Sequence, residues 1–324
     1  MIKIMKDTEL YHKLLEILTK HFKLVSEISD ILSIIEEKYS EKHRYFHVWD
    51  HILYMYNIAK KLNIDLSDKL ILSMCFHDII YDPKRNDNEE RSAELFYSII
   101  PDDEIRIAIL ETKDHNPKTE LGNKLCELDL YGLYDDFDVF YENSYKIFKE
   151  YQFADFNTYK KERRKILEKF KVNPDWIDAV DAFKPKIAIF PGSFNPFTLG
   201  HLDILEKAEQ IFDKVIIARG INSDKKIEVR QLPDYLNYRE IINYDNLLCD
   251  FVEQSSYDLT IIRGLRNIMD FTYENTTLQY WRDFLPNIKV IYIMSDVSKS
   301  HISSSGVRSL EKFIDSSIIN DMYL

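Results

Sequence analysis

The stretch FPGSFNPFTLGHLDILEKA, residues 190–208, places two glycines, a threonine and a histidine next to a helix-like pattern. Glycine is scarce in this chain, with seven in 324 residues, so two in one loop indicate a demand on the backbone. Gly192 would let a phosphate group approach the main chain, and Gly200 precedes His201, where a helix would begin and attract anions. His201 and the Thr198 hydroxyl could then donate hydrogen bonds to a phosphoryl group. A capping threonine and a surface histidine are an equally open alternative.

Histidines and carboxylates that could bind a metal ion recur in the first 130 residues. His47 and His51 are four positions apart, so in a helix they would share a face, one turn apart. His77 and Asp78 are adjacent in FHD, and Asp129 follows in LDL. Imidazole and carboxylate ligands without thiolates suit Mn, Fe, Zn or Mg ions. The alternative is a helical bundle whose histidines only pack in its core.

Two kinds of periodicity divide the chain into two predicted domains. Before about residue 175 the apolar residues recur at helical spacing, as in LLEILTKHFKLVSEISDILSIIEEKY, which predicts an all-α bundle. From Lys186 onward the apolar runs KIAIF, KVIIAR, LTIIRGL and KVIYIMS alternate with helical patterns, which predicts a doubly wound α/β fold with a parallel sheet. We place the domains at residues 1–178 and 185–324, with the boundary near 180. If KIAIF is the first strand, the loop after it lies at the carboxyl edge of the sheet, where ligands bind in such folds.

The composition limits the function classes. Hydrophobic residues make up 45% of the chain and charged residues 30%, which is typical of a folded globular protein. The net charge of −12 and the lack of a basic run argue against a nucleic-acid partner. Three cysteines without a CxxC pair argue against a disulfide framework or a zinc ribbon. No signal-peptide core and no run of eighteen apolar residues occur, so we expect a cytoplasmic protein without a membrane partner.

Four blocks of the second half together resemble the bacterial phosphopantetheine adenylyltransferases, members of the nucleotidyltransferases with an HxGH or TxGH motif. The blocks are TLGH at 198–201, SDKK at 223–226, RGLRNIMDF at 263–271 and ISSSGVR at 302–308. The resemblance implies that ATP, accompanied by Mg²⁺, reacts with 4'-phosphopantetheine to give dephospho-coenzyme A and pyrophosphate. Coenzyme A is a further implied ligand. Such a direct transfer needs positioning and charge stabilisation but no protein nucleophile.

The same resemblance implies roles for individual residues. His201 and Thr198 would donate to the α-phosphate of ATP. Lys225 would bridge the acceptor phosphate and ATP, and Arg263 would orient the acceptor. The other predicted nucleotide-binding residues are Gly192, Ser193, Phe194, Arg266, Glu274, Ser303, Ser304 and Ser305, and Asp270 also matches the family pattern.

The chain departs from the family pattern at three places. IEVRQLPDY follows Lys226 in place of a phenylalanine and an EER helix start, and Trp281 stands where an asparagine is expected. The tail lacks the GG and valine-proline ending, so the size of the implied homo-oligomer stays open. Two alternatives therefore remain. One is transfer to another phosphorylated acceptor, such as nicotinamide mononucleotide, or glycerol phosphate with CTP; the other is a non-catalytic nucleotide or coenzyme A sensor that regulates the first domain.

Blocks of the first half resemble a branch of the HD superfamily of metal-dependent phosphohydrolases. They are RYFHVWDHI at 44–52, FHDIIYD at 76–82, DNEERSA at 87–93, TKDH at 112–115 and ELDL at 127–130. The implied ligands of a divalent Mn, Fe, Zn or Mg ion are His51, His77, Asp78 and Asp129, with His47 as a competitor for the position of His51. His115 could serve a second metal or a substrate phosphate. Asp82, Asn88 and Glu89 would lie either behind the metal ligands or against the substrate. The sequence thus predicts an HD-type phosphohydrolase fused to an adenylyltransferase. The substrate of the phosphohydrolase would be a phosphate ester or a nucleotide, which the motifs do not specify further.

Overall fold

The chain divides into two compact units in the computed structural model, which describes residues 5–221, 230–245 and 247–324. The helical unit comprises residues 1–150 and 164–181. The sheet unit comprises residues 151–163 and 182–324. Residues 151–163 therefore belong to the sheet unit, although they precede the last helical segments of the helical unit in the chain.

Helices make up the regular structure described for the first 182 residues, which confirms the predicted helical character. Their bounds are α1 Glu9–His21, α2 Val25–Lys38, α3 Trp49–Lys61, α4 Asp68–Phe76, α5 Asn88–Ile99, α6 Asp103–Glu111, α7 Glu120–Leu130, α8 Phe137–Glu150, α9 Phe156–Lys169 and α10 Pro174–Ala182. The long apolar pattern near the start forms two helices, because Phe22 and Leu24 adopt extended backbone between α1 and α2.

Helix α4 is central to the helical unit and determines where its functional residues lie. Its residues Leu70–Phe76 are all buried, so it is enclosed on every side, as expected for a helix with little polar surface. Leu14, Ile35 and Met55, from three other helices, are fully buried in the same core. Because α4 ends at Phe76, the sequence HD that follows begins inside this core.

The sheet unit has a five-stranded, fully parallel sheet with helices between the strands, which confirms the predicted α/β fold. The strands are β1 Ile187–Gly192, β2 Lys214–Gly220, β3 Ile241–Tyr244, β4 Thr260–Leu265 and β5 Lys289–Met294, in the order β3-β2-β1-β4-β5. The helices are α11 Leu199–Glu209, α12 Leu248–Gln254, α13 Ile268–Phe284, α14 Ser304–Leu310 and α15 Ser316–Tyr323. The order reverses at β1, so the loop after β1 lies at the switch point where ligands bind in open parallel sheets.

Strand β3 was not predicted from the sequence. Strand β3 has four residues, IINY, none of which is fully buried, and it pairs only with β2 at the edge of the sheet. Such a short, half-exposed strand lacks the continuous apolar run that marks the central strands. The four predicted runs, by contrast, coincide with β1, β2, β4 and β5.

A buried lysine holds residues 151–163 against the sheet. The side chain of Lys214, at the start of β2, is fully buried, and its Nζ donates to Ala154 O at 2.8 Å and to Gln152 O. The carboxylate of Glu240 lies 3.0 Å from the same nitrogen. Since a buried ammonium is costly unless it is paired and hydrogen-bonded, these contacts are what allow Lys214 to occupy this position.

In the described part of the chain, no helix has both the length and the apolar character needed to cross a bilayer.

Candidate functional sites

Packing in the loop after β1 leaves no room for side chains at its two glycines. Gly192 ends β1 and pairs in register with Arg219 of β2. A Cβ atom at Gly192 would lie 2.8 Å from the ring of Phe194, which is too close for two carbon atoms. Phe194 is buried, and its backbone has a φ of 46°. Glycine is therefore required by packing against Phe194. Farther along, a Cβ at Gly200 would lie 3.2 Å from the carbonyl oxygen of Ile302.

Thr198 and His201 form a local unit at the start of α11. Thr198 is the N-cap residue and His201 is the third residue of the helix. The backbone N–H of Thr198 donates to His201 Nδ1 at 3.0 Å, and the Thr198 hydroxyl lies 3.0 Å from the same atom. Nδ1 thus acts as an acceptor, so the neutral ring carries its proton on Nε2. Burial, and secondarily the positive charge of Arg266, lower the pKa of His201 to about 4.

Arg263 is held at the end of β4 by a buried carboxylate. Its Nε and Nη2 donate to the two oxygens of Glu274 at 2.7 and 2.6 Å, and its Nη1 donates to Pro191 O at 3.1 Å. Glu274, on α13, is 7% exposed. The ring of Trp281 lies 5.8 Å from the guanidinium carbon, on the same helix as Glu274. A two-pronged carboxylate contact fixes both the position and the plane of the guanidinium.

Arg266 and the serines at positions 303 and 304 lie in the same cavity as residues of the loop after β1. Arg266 is paired with Asp270 through Nε at 2.8 Å and Nη2 at 2.9 Å, and the pairing lowers the pKa of the Asp270 carboxyl. Ser303 is the N-cap of α14 and accepts from the backbone N–H of Gly306 at 3.1 Å. The Ser304 hydroxyl donates to Pro196 O at 2.8 Å.

A cavity of about 360 Å³ brings most of the predicted residues together at the carboxyl edge of the sheet. The predicted residues that line it are Gly192, Phe194, His201, Arg263, Arg266, Asp270, Glu274, Ser303 and Ser304. Ser193, Thr198 and Ser305 lie nearby in the chain but not among its lining residues. Lys225 lies outside the described residues. Sequence reasoning assigned no role to Tyr273, which lies between Asp270 and Glu274, or to Ser295, and both also line the cavity.

Comparisons with known proteins agree with this geometry. The sequence model of the cytidylyltransferase-like family matches residues 189–310, which places the sheet unit in that class of domain. The phosphopantetheine adenylyltransferase of Clostridium botulinum (strain Eklund 17B / Type B) is 36% identical over 137 residues, covering 40% of this chain and 86% of the relative. That of Mycoplasma capricolum is 40% identical over 136 residues, covering 39% and 96% respectively. Through its sheet unit the chain belongs to the phosphopantetheine adenylyltransferase family, as the sequence predicted.

In the helical unit, four of the predicted metal ligands converge. One ligand atom from each of His51, His77, Asp78 and Asp129 lies within 4.8 Å of the other three. His51 Nε2 is 2.9 Å from Asp129 Oδ1, and His77 Nε2 is 2.9 Å from Asp78 Oδ2. These residues come from α3, from the segment after α4 and from α7, so the fold brings together positions up to 78 residues apart.

The chemistry of these four residues fits a divalent cation. His77 Nδ1 donates to Met74 O at 2.9 Å, because a carbonyl oxygen can only accept, and this leaves Nε2 without a proton in the neutral ring. Nε2 is buried, and although it lies 2.9 Å from Asp78 Oδ2, the two atoms do not have the geometry of a hydrogen bond. Despite burial, the neighbouring imidazoles of His115, His51 and His77 hold the pKa of Asp129 well below its usual range. Despite burial, Asp78 and Asp129 raise the pKa of His77, so a bound cation would take the place of a proton on its Nε2. Metal binding requires an unprotonated imidazole nitrogen and ionised carboxylates.

His47 differs from its prediction. It does not share a helical face with His51, because α3 begins only at Trp49 and His47 lies in the irregular segment before it. The backbone N–H groups of Tyr45, Phe46 and His47 all donate to one oxygen of Glu150, at 2.7 to 2.9 Å, which keeps this segment out of the helix. The prediction of a shared face is therefore wrong.

Of the remaining predicted residues, His115 contacts the cluster, and Asp82 and Asn88 contact each other. His115 Nε2 is 2.8 Å from Asp129 Oδ2, next to His51. Asn88 accepts from the backbone N–H of Asp82 and donates to its carbonyl oxygen, both at 3.0 Å, so it closes the loop that follows the HD pair. Sequence reasoning missed Glu150, since nothing in KEYQF marks it as a partner of a residue 103 positions earlier.

Proposed function

We propose that the sheet unit transfers the adenylyl group of ATP to 4'-phosphopantetheine, forming dephospho-coenzyme A and pyrophosphate. The observation that carries this proposal is the convergence of His201, Arg263, Arg266 and Ser303 on one cavity beside Gly192. The two relatives described above are phosphopantetheine adenylyltransferases, and the match covers 86% of one and 96% of the other. An oxygen of the acceptor phosphate would attack the α-phosphorus of ATP, and the bond to the β-phosphate would break.

The residues lining the cavity would divide this task between positioning and charge stabilisation. His201 would donate from Nε2 to an oxygen of the α-phosphate, and Thr198 would orient the ring by its contact with Nδ1. Arg263, fixed by Glu274, would hold the acceptor phosphate. Arg266 and the serines at the start of α14 would hold the polyphosphate of ATP. A Mg²⁺ ion bound with ATP would neutralise the charge of the leaving pyrophosphate.

Pyrophosphate release tests this proposal against its nearest alternatives. Purified protein with ATP, Mg²⁺ and 4'-phosphopantetheine should release pyrophosphate, whereas CTP with glycerol phosphate or ATP with nicotinamide mononucleotide should not. Release with one of the other acceptors only would assign the unit to another transferase. Tight ATP binding in calorimetry without turnover on any acceptor would instead support a nucleotide sensor.

We further propose that the helical unit is a metal-dependent phosphohydrolase. The specific observation is the cluster of His51, His77, Asp78 and Asp129, in which one ligand atom from each residue lies within 4.8 Å of the others and His77 Nε2 is buried. A divalent ion held there would supply Lewis-acid polarisation of a phosphoryl oxygen and a more acidic bound water. His77 would be kept in the ligating tautomer by Met74 O. The substrate would be a phosphate ester or a nucleotide.

Metal content tests this second proposal. Protein purified without chelators should retain close to one divalent ion per chain, because such sites hold their metal tightly. Asp129→Asn should lose the metal, and the matched variant Asp138→Asn, at an exposed position of α8, should keep it. A wild-type content below about a tenth of an ion per chain would favour a purely structural bundle. A screen of phosphate esters and nucleotides for phosphate release would then identify the substrate.

A further inference from the structure

Glu150 is a buried residue whose carboxylate binds residues 45–47 with one oxygen and the side chains of His47 and Tyr81 with the other. It is 1% exposed and ends helix α8. Its Oε1 accepts the three backbone N–H groups of residues 45–47. Its Oε2 accepts from His47 Nδ1 at 2.6 Å and from the Tyr81 hydroxyl at 2.8 Å. With five donors the carboxylate is fully satisfied, so its position and that of the imidazole are closely defined.

The ring of His47 is held on its faces as well as at Nδ1. It stacks on Tyr81 with a centroid separation of 4.0 Å and meets the edge of Phe46 at 4.9 Å. The side chain is nevertheless 20% exposed. Because a carboxylate can only accept, Nδ1 carries a proton and is committed to Glu150. Nε2 is the ring nitrogen left for another partner.

The same framework fixes His47 relative to the metal cluster. The Arg44 side chain is fully buried, and its Nη1 donates to Asp78 O at 2.7 Å and to His47 O at 3.3 Å. Its Nη2 donates to Ile79 O at 3.0 Å. The ring centroids of His47 and His51 are 6.1 Å apart. His47 therefore lies beside the cluster at a defined distance, but its ligand atoms are not among those within 4.8 Å of one another.

We propose that His47 is a substrate contact of the cluster and not a metal ligand: in the imidazolium form its Nε2–H donates a hydrogen bond to a phosphate oxygen of the substrate, and Glu150 is the residue that positions the ring. This inference rests on the proposed phosphohydrolase function. Burying a carboxylate is costly. A cost of this kind is expected where an imidazole must point in one direction, as in other carboxylate–imidazole pairs that orient a reacting group.

Three variants of the full chain separate a substrate contact from a metal ligand. His47→Gln removes the imidazole, His51→Gln removes a ligand of the cluster, and His12→Gln is a matched control at an exposed position of α1. Metal per chain is measured by elemental analysis after purification without chelators. Binding of inorganic phosphate to the Mn²⁺-loaded protein is measured by calorimetry, with His51→Gln as the baseline for phosphate that binds elsewhere in the chain.

We expect His47→Gln to keep its metal and to bind phosphate about tenfold or more weakly, as for the loss of one charge-assisted hydrogen bond. His51→Gln should lose the metal, and His12→Gln should match the wild type. Glu150→Gln should also keep the metal and weaken phosphate binding, since the ring would lose its carboxylate partner. His47→Asn provides a second substitution if His47→Gln is poorly folded.

Two results would overturn this inference and leave the proposed phosphohydrolase function in place. Loss of metal in His47→Gln to the level of His51→Gln would make His47 a ligand, and unchanged phosphate affinity in a metal-containing His47→Gln would exclude the substrate contact. A wild-type protein with no more metal than His51→Gln would instead overturn the phosphohydrolase function, and the inference with it.

Discussion

The backbone N–H of Thr198 donates a hydrogen bond of 3.0 Å to Nδ1 of His201, three residues later in the chain. The contact selects the tautomer in which Nε2 carries the proton, so the ring can act as a donor while it is neutral. Burial and the nearby Arg266 keep it neutral by lowering its pKa to about 4. A neutral hydrogen-bond donor is therefore present at Nε2 throughout the physiological pH range.

Replacing His201 should remove this donor. We expect His201→Ala to lower kcat for pyrophosphate release by roughly a hundredfold or more, the effect of losing a transition-state donor. Titration of His201 should not alter the kcat of the wild type between pH 5.5 and 8, because the pKa of His201, about 4, lies below that range. His301→Ala, at an exposed histidine before α14, is the control and should retain wild-type kcat. Equal kcat in the two variants would remove His201 from the reaction.

The same histidine should affect stability at acid pH. Its folded pKa of about 4 lies below its ordinary value, so the unfolded chain binds the proton more readily between these two values. The free energy of unfolding should fall as the pH decreases from 6.5 toward 4, by about 2 kcal/mol from this group. Urea titrations of the sheet-unit transition at several pH values should show a shallower decline for His201→Gln. An identical slope in both proteins would mean that His201 titrates normally.

Glu274 should control the acceptor through Arg263. We expect Glu274→Gln to lower kcat/KM for 4'-phosphopantetheine about ten- to a hundredfold, as for the loss of a hydrogen bond to a charged group. The guanidinium would keep Pro191 O as a partner but would lose the carboxylate that fixes its plane. Steady-state kinetics with the acceptor varied give the measurement. Glu253→Gln, at an exposed position of α12, provides the comparison, and a change below twofold in Glu274→Gln would contradict this role.

Lys214 should stabilise the sheet unit by holding residues 151–163. Lys214→Met keeps the apolar stem but removes the donor to Gln152 O and Ala154 O, and it leaves Glu240 without this partner. We expect a loss of about 2 to 4 kcal/mol in the free energy of unfolding, as for a broken buried ion pair. Urea denaturation measures it, with the exposed Lys312→Met as the control. A loss below 0.5 kcal/mol, roughly the range of surface substitutions, would show that the contact is dispensable.

Much of the sheet unit could be predicted because its signals are local. Four of the five strands are apolar runs, and the parallel order places their exit loops at one edge without further information. Thr198 and His201 are also local, since one helical turn brings them together. Strand β3 could not be predicted in the same way, because it is short and partly exposed. It is recognised as a strand only through its pairing with β2, which is a contact between distant residues.

The helical unit shows the opposite case. The spacing of His47 and His51 indicates a shared helical face, yet a carboxylate more than a hundred positions away holds His47 outside the helix. Local spacing cannot reveal this, because a buried Glu150 is a stronger partner for three backbone N–H groups than the turn of a helix would be.

The amino-acid sequence alone determined the two classes of fold, the loop that begins α11 and the residue types able to bind a phosphate or a metal ion. Those properties depend on periodicity and on neighbours within a few positions. Only the tertiary structure decided which side chains are held in place and by what. Arg263 is oriented by Glu274 and Pro191, and His47 by Glu150, because hydrogen bonds between distant segments form only after the cores that carry them have packed.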